Sequence, residues 1–307
     1  MNIIFFGSGV FAVKSLEALV ESGHKISLVV TQPDKPKGRH LVLSPTEVKV
    51  RANQLGFSVY QPEGPHSSQA LVRFKQAKPD LFVVISYGHI LNKKVLGIPG
   101  LYPLNVHASL LPKYRGAAPI NWAIVNGEKE TGVTVIKMNE KMDKGDILLQ
   151  KSIKIDEQDN AVTLEEKLSL LAALTIVEGV SLIEQKKARF IRQVDKDATI
   201  APKLKKEDGK INWQDDCVDI YNRVRGFAPW PSAFTCFKGA LLKIHRAVVN
   251  KETGRAGEII KVSKDAITVG CGNGSLDIIE LQLANEKKMA VEAFICGHKV
   301  KVGDLLG

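Results

Sequence analysis

No stretch of eighteen or more apolar residues occurs in this chain, which excludes a membrane-spanning helix of ordinary length. The opening MNIIFFGSGV lacks the basic flank, long apolar run and cleavage site of a secretory leader, and reads as a strand entering a turn. Cysteine is sparse: Cys217, Cys236, Cys271 and Cys296 stand far apart with no C-x-x-C pair. That spacing argues against a zinc cluster or a dithiol redox motif, and predicts reduced, packed thiols in a cytoplasmic protein. With 307 residues the chain can bury a core in one large domain and a smaller one, without disulfide staples. There is no internal repeat, no low-complexity segment and no H-E-x-x-H, so no metal is expected.

Acidic residues are also in short supply, 33 against 43 Lys and Arg, leaving a formal charge of +10. The excess is shared, +7 on residues 1–204 and +3 on 205–307, so no single basic tail explains it. A balance this positive predicts an anionic partner such as a nucleic acid.

The first half alternates short β-rich runs with helical patterns: NIIFF, a helix over 10–22, KISLVVT, a helix over 47–55, the helix SQALVRFKQA and the continuous apolar run DLFVVIS. That order predicts a doubly wound, mostly parallel α/β sheet of Rossmann-like type, with DLFVVIS buried on both faces. LYPLNVHAS follows as a further strand, then TGVTVIKM and DILLQKSIKI as an antiparallel pair, then a long helix over 163–187. We expect a catalytic domain over 1–189, a charged linker over 190–208, and a small domain over 209–307. In the last, one helix near 216–226 and five strands broken by glycine turns predict an OB-like β-barrel.

The chemistry concentrates in NVHASLLPKYRGAAPINWA, Asn105 to Ala123. Residues i and i+2 of a strand share a face, so Asn105 and His107 point together at the carboxyl end of a central strand, where open α/β sheets place their ligand crevices. An amide donor beside an imidazole suits a reaction that builds negative charge on a carbonyl oxygen, as in acyl or formyl transfer. Alone, an Asn-x-His pair also describes a satisfied core histidine. Pro112 then forces the chain out of the strand, and Arg115 and Gly116 precede a helix starting near Ala117, the texture of an active-site loop. Asp143, in MDKGD, is the acid expected to orient the imidazole, although D-K-G-D is by itself an ordinary turn. The turn Gly7–Gly9 is a weak dinucleotide signal, because Ala12 stands where the fuller G-x-G-x-x-G needs its last glycine.

Taken together, NVHASLLPKYRGAAP and the downstream MDKGD resemble the folate-dependent formyltransferases, whose shared Asn, His and Asp are matched by Asn105, His107 and Asp143. TQPDKPKGRHLVLSP (Thr31–Pro45), SYGHIL (Ser86–Leu91) and RVRGFAPWPSAF (Arg223–Phe234) extend the resemblance over both domains. His40 and Leu41 depart from the glycine and lysines usual in the first of these, and Ala228 replaces the usual Asn before Pro-Trp-Pro.

The resemblance implies 10-formyltetrahydrofolate as formyl donor and the α-amine of initiator methionyl-tRNA as acceptor, with a sugar-nucleotide amine or water as alternatives. It implies that Asn105 and protonated His107 donate to the developing oxyanion while Asp143 supports the imidazole and moves the amine proton. The folate would lie along the backbone of Ser86, Tyr87, Gly88, Ile90 and Leu91, against Asn139 and Lys141, with Ser109, Leu110, Leu111 and Pro112 framing the formyl group. Lys35, Lys37 and Arg39, on a proline-stiffened loop, would grip the acceptor stem, Arg39 wedging at its end. Lys203, Lys205, Lys206, Lys243 and Arg246 would meet phosphates, Trp213 and Trp230 would pack at the domain junction, and the protein would act as a monomer.

Overall fold

The computed structural model describes residues 1–37, apart from the Lys37 side chain, and 42–307. In chain order the first elements are β1 (Asn2–Gly7), α1 (Val13–Glu21), β2 (Lys25–Val30), β3 (Lys35–Lys37), β4 (Val42–Ser44), α2 (Glu47–Gln54), β5 (Val59–Tyr60), α3 (Ser68–Gln76), β6 (Leu81–Ile85) and α4 (Lys93–Leu96). Next come β7 (Tyr102–His107), β8 (Arg115–Gly116), α5 (Pro119–Val125), β9 (Glu130–Lys137), β10 (Asp146–Lys154), α6 (Ala161–Glu184) and β11 (Ile200–Ala201). The last are α7 (Cys217–Gly226), β12 (Ala233–Phe237), β13 (Ala240–Asn250), β14 (Ile259–Val262), β15 (Ile267–Gly270), β16 (Ser275–Leu283), β17 (Met289–Ala290) and α8 (Val291–Gly297). Two units result: Met1–Gly116, Glu130–Lys154 and Glu165–Ala201 form the first, and Ala117–Lys129, Ile155–Leu164 and Pro202–Gly307 the second.

The first unit holds a seven-stranded sheet in the order β10-β9-β7-β6-β1-β2-β5, parallel from β7 to β5 and antiparallel at β9 and β10. The strand order reverses between β1 and β6, which opens a crevice outside their carboxyl ends. All five residues of β6 are buried, as a strand covered on both faces requires. Beside it the Phe6 ring meets Phe74, Phe82 and Tyr87 edge-on at 5.3, 4.9 and 5.3 Å. Thr46 and Ser67 cap α2 and α3 by accepting from the backbone N–H of Lys49 and Ala70. The first helix starts later than its sequence pattern suggests, because Val10–Ala12 winds as a 3-10 turn.

On α6, Glu165 is half-buried with no cation bonded to it among the described residues. Burial pushes its carboxyl above the usual range, and Glu47 and Glu166 add to the effect. A carboxyl raised in the folded state costs stability when ionised, and that cost vanishes as pH falls below the unfolded value. Glu165→Gln is therefore expected to raise the melting temperature at pH 7 by about 2 °C. Thermal melts should show the gain shrinking as pH falls through the carboxylate range.

The segment expected as a linker, 190–208, is divided between the units. Ile191 exchanges backbone hydrogen bonds with Ile147, and β11 pairs in parallel with β8, so 190–201 is built into the first unit. Its charged residues face outward while the backbone is held, which is why composition alone made it look free.

In the second unit the antiparallel strands run β12-β13-β16-β15-β14, with β17 also on β16. Residues 303–307 close this sheet into a barrel: Leu305 bridges to Glu258, Leu306 bridges to Phe237, and Gly307 N–H donates to the Cys236 carbonyl. Trp213 is buried in the barrel core with Ile220, Leu242, Ile278 and Phe294, its indole N–H donating to Thr235 Oγ1 at 3.0 Å. Trp230 corrects the packing expectation: it is 53% exposed, because Phe227, edge-on to Trp122, takes the buried position in this turn. Cys236 and Cys296 likewise are exposed rather than packed. Cys236 lies on the outward side of the β12 pleat, and Val291 and Phe294 occupy the buried face of α8.

Candidate active site

β7 ends the parallel part of the sheet, with Val84 of β6 beside Asn105 and Thr134 of β9 beside His107. His107 is 7% exposed, and its Nε2 lies 2.8 Å from the Tyr114 carbonyl oxygen, so in this geometry Nε2 carries a proton and donates. Its Nδ1 faces Asp143 Oδ1 at 3.6 Å, too far for a direct hydrogen bond. The other carboxylate oxygen, Oδ2, accepts from Gly116 N–H at 2.9 Å. Asn105, on the same face, is partly exposed and its amide bonds to none of the described residues. A free amide donor, an imidazole and a carboxylate thus converge at the carboxyl edge of a central strand.

Local backbone strain accompanies this arrangement. Tyr114 and Asp143 both have left-handed backbones, φ 59° and 53°, which side-chain-bearing residues adopt at a cost of roughly 1 kcal/mol or more. Gly116, at φ 124°, could not be replaced without conflict, since a Cβ there would lie 2.5 Å from the Ala201 carbonyl oxygen. Thr134 shapes the loop after β7: its hydroxyl donates to the Ser109 carbonyl at 2.6 Å and accepts from Leu111 N–H at 3.1 Å. Gln150 joins by donating to the Leu111 carbonyl at 2.8 Å.

Arg115, expected in an active-site loop, is instead buried and fully engaged. Its Nε and Nη2 donate to Gln193 Oε1 at 3.0 and 2.7 Å, and its Nη1 pairs with Asp195 at 2.7 Å. The Arg115 hydrogen bond, with Lys144 nearby, holds the Asp195 carboxyl below the usual carboxylate range.

Of the residues expected along the folate, Ser86, Gly88 and Ile90 are exposed, Ile90 by 64%, at the carboxyl end of β6. Tyr87 and Leu91 turn into the core instead. The Tyr87 hydroxyl is buried without a partner among the described residues and pushed up by that burial, while its carbonyl already accepts from Gln32 Nε2 at 2.8 Å. Ser109 is buried and donates to the Lys113 carbonyl at 2.6 Å, Leu111 is buried, and Leu110 and Pro112 are partly exposed. Asn139 and Lys141 are exposed on the turn before Asp143, where Asn139 accepts from Lys141 N–H and donates to the Lys144 carbonyl. Of this set, the side chains of Ser86, Ile90, Asn139 and Lys141 face outward, those of Leu110 and Pro112 do so in part, and those of Tyr87, Leu91, Ser109 and Leu111 do not.

The basic loop after β2 contains a hairpin, Lys35 pairing with Ser44 and Lys37 with Val42. Lys35 is exposed and donates to Gln32 Oε1 at 2.6 Å. Arg39, His40, Leu41 and the Lys37 side chain lie outside the described residues. The hairpin base is anchored by Asp34, which accepts from Lys49 and Gln61 at 2.7 and 2.6 Å and has its carboxyl lowered by those bonds.

In the second unit Lys203, Lys205, Lys206 and Arg246 are exposed and Lys243 partly so. The segment carrying the first three runs beside β12 at Lys210 and Phe234, and Phe234 lies beside Lys243 on β13. Two strand spacings, about 10 Å, therefore separate Lys210 from Lys243.

Sequence reasoning missed Gln193, Thr134 and the Tyr114 carbonyl. Each acts through a contact between distant segments, and none carries a local signal beyond its polarity.

A formyl transferase family model matches residues 1–180, and a formyl transferase C-terminal domain model matches 203–299. The chain belongs to the formyl transferase family. Its sequence relatives include the methionyl-tRNA formyltransferase of Geobacter metallireducens, 44% identical over 307 residues that cover 100% of this chain and 99% of that one. The methionyl-tRNA formyltransferase of Thermodesulfovibrio yellowstonii is 46% identical over 302 residues, covering 98% and 97%. Among solved structures, HypX from Aquifex aeolicus in complex with tetrahydrofolic acid shares the fold at a TM-score of 0.67 and 18% identity. That match covers 99% of this chain and 50% of HypX.

Proposed function

We propose that this protein formylates the α-amine of methionine carried by initiator tRNA, taking the formyl group from 10-formyltetrahydrofolate. The observation that carries the reading is the convergence of Asn105, His107 and Asp143 at the carboxyl edge of β7. Full-length identity to methionyl-tRNA formyltransferases supports the acceptor, and the fold shared with a tetrahydrofolate-bound protein supports the donor.

The residues present fit a reduced folate. Exposed Ile90 offers an apolar ledge beside the free backbone at Ser86 and Gly88, and the uncommitted Asn105 amide offers a donor to a carbonyl oxygen. When bound, the folate supplies an electrophilic formyl carbon. Asn105 donates to the oxygen on which negative charge grows as the amine adds, and His107 donates from Nδ1, the ring nitrogen not bonded to Tyr114. Asp143 keeps a negative charge facing the imidazole and accepts the amine proton through a water. The proton that His107 gives up goes to the departing folate nitrogen, and the proton held by Asp143 then passes to His107, so the site returns to its starting state.

For the acceptor, the Lys35–Lys37 and Val42–Ser44 hairpin presents cationic residues to the tRNA, and Arg39 opens the end of the acceptor stem. Opening a paired first base pair costs a few kcal/mol, so an elongator should react about 100-fold more slowly than a mismatched initiator. The test is transfer from 10-formyltetrahydrofolate to methionyl-initiator tRNA beside methionyl-elongator tRNA, an amino-sugar nucleotide and water. Formylation of the initiator alone is expected. Transfer to the sugar, or hydrolysis alone, would overturn the tRNA assignment and leave the catalytic trio standing.

A further inference from the structure

We propose that Gln193 is a positioning residue for formyl transfer, setting the placement of Asp143 relative to His107. This deepens the formyltransferase reading and rests on it. The Gln193 side chain is 8% exposed and uses every hydrogen-bonding position it has. Its Oε1 accepts twice from Arg115, at 3.0 and 2.7 Å, and its Nε2 donates to the Asp143 carbonyl at 2.8 Å and the Gly145 carbonyl at 2.7 Å. A buried amide satisfied on both sides is costly to move, because any shift leaves a buried partner unpaired.

The same segment controls the other side of the imidazole. Thr199 Oγ1 accepts from Tyr114 N–H at 2.8 Å, and the Thr199 carbonyl accepts from Arg115 N–H at 2.9 Å. Tyr114 in turn presents the carbonyl that holds His107 Nε2. Residues 193–199 therefore fix both oxygens that face the ring, one on each nitrogen. Only an amide suits position 193: the side toward Arg115 must accept, and the side toward the two carbonyls must donate. Glutamate keeps the first function and loses the second. The left-handed backbone of Asp143 at φ 53° makes the second function matter, since two bonds from Gln193 hold a turn that would otherwise relax.

Two variants test this in the full chain. Gln193→Leu removes both functions, and Gln193→Glu removes only the donors while keeping the Arg115 pair. Both should lower kcat about 10- to 100-fold, the usual result of releasing a group that orients a reacting one, with KM for 10-formyltetrahydrofolate within about twofold. In an Asp143→Asn background, Gln193→Glu should lower kcat by less than about twofold further, because the group it positions is already disabled. Equal losses in both backgrounds, or a Gln193→Glu enzyme with wild-type kcat, would overturn the proposal. A second readout does not depend on the acceptor: nitrogen NMR of the histidine-labelled chain, with His107 assigned by its absence in His107→Asn. Gln193→Glu should move the His107 ring signals and leave the other six histidines unchanged. An unmoved His107 spectrum would also overturn the proposal. If the wild-type protein formylates no tRNA, the functional reading falls and this spectrum still decides the role of Gln193.

Discussion

Asn105→Ala is expected to lower kcat by two to three orders of magnitude while leaving the melting temperature unchanged. The two halves of that result come from one observation. Asn105 bonds to none of the described residues, so the folded protein loses no hydrogen bond when the amide is removed. In the proposed mechanism the transition state loses one, at the oxygen where charge accumulates, and one such donor is worth about 10²–10³ in rate. Asn105→Asp sharpens the test: it keeps the size of the side chain but places a negative charge where negative charge develops, so its kcat should fall at least as far. Single-turnover rates with saturating folate and acceptor, beside thermal melts, check both. An Asn105→Ala enzyme retaining more than a tenth of wild-type kcat would remove the amide from the mechanism.

The second large effect is expected from Gly116→Ala, and it should combine lost stability with lost activity. At φ 124° alanine is strained, and its Cβ would lie 2.5 Å from the Ala201 carbonyl oxygen and 3.2 Å from the Ala201 carbonyl carbon. Those atoms are backbone in a paired strand, so they yield only if β11 separates from β8. Strain and a broken pairing together should cost about 3 kcal/mol, which corresponds to a melting transition lower by roughly 6 °C or more. The N–H of Gly116 also holds Asp143 Oδ2, so the same displacement misplaces the carboxylate and should lower kcat more than about tenfold. Calorimetry and kcat measured on one preparation test the pairing of the two effects. Normal kcat at the lowered melting temperature would show that the Gly116 contact does not position Asp143.

How much of this was readable in advance differs residue by residue. The continuous apolar run over 81–85 fitted a strand buried on both faces, because five residues are enough for a strand and too few for a helix of ordinary length. The alternation in NVH put Asn105 and His107 on one face because the period of a strand is fixed at two. Asp143 was different: it was a candidate because an imidazole needs an acid to orient it, but an Asp-Lys-Gly-Asp turn says nothing of what lies opposite, and the resemblance to formyltransferases added what the turn itself lacks. Gln193 and Thr199 gave no signal at all, since their roles exist only where segments about eighty residues apart in the chain meet Tyr114 and Arg115. Charge in the stretch from Arg192 to Asp208 then disguised structure as linker. The barrel was legible as strands and glycine turns, but its closure by residues 303–307 was not, because so short a segment with Gly303 and Gly307 carries no strand pattern of its own.

The chain enters the second unit twice, at 117–129 and 155–164, before leaving the first for good after Ala201. A single cut at residue 189 would therefore yield a fragment that keeps Asn105, His107 and Asp143 yet lacks Gln193, whose amide donates to the Asp143 and Gly145 carbonyls. Recombination between relatives meets the same constraint. Exchanging the C-terminal half without loss of the site requires a junction after Ala201, together with matched replacement of the two internal excursions. A graft that follows this interleaving therefore moves three pieces, 117–129, 155–164 and 202–307.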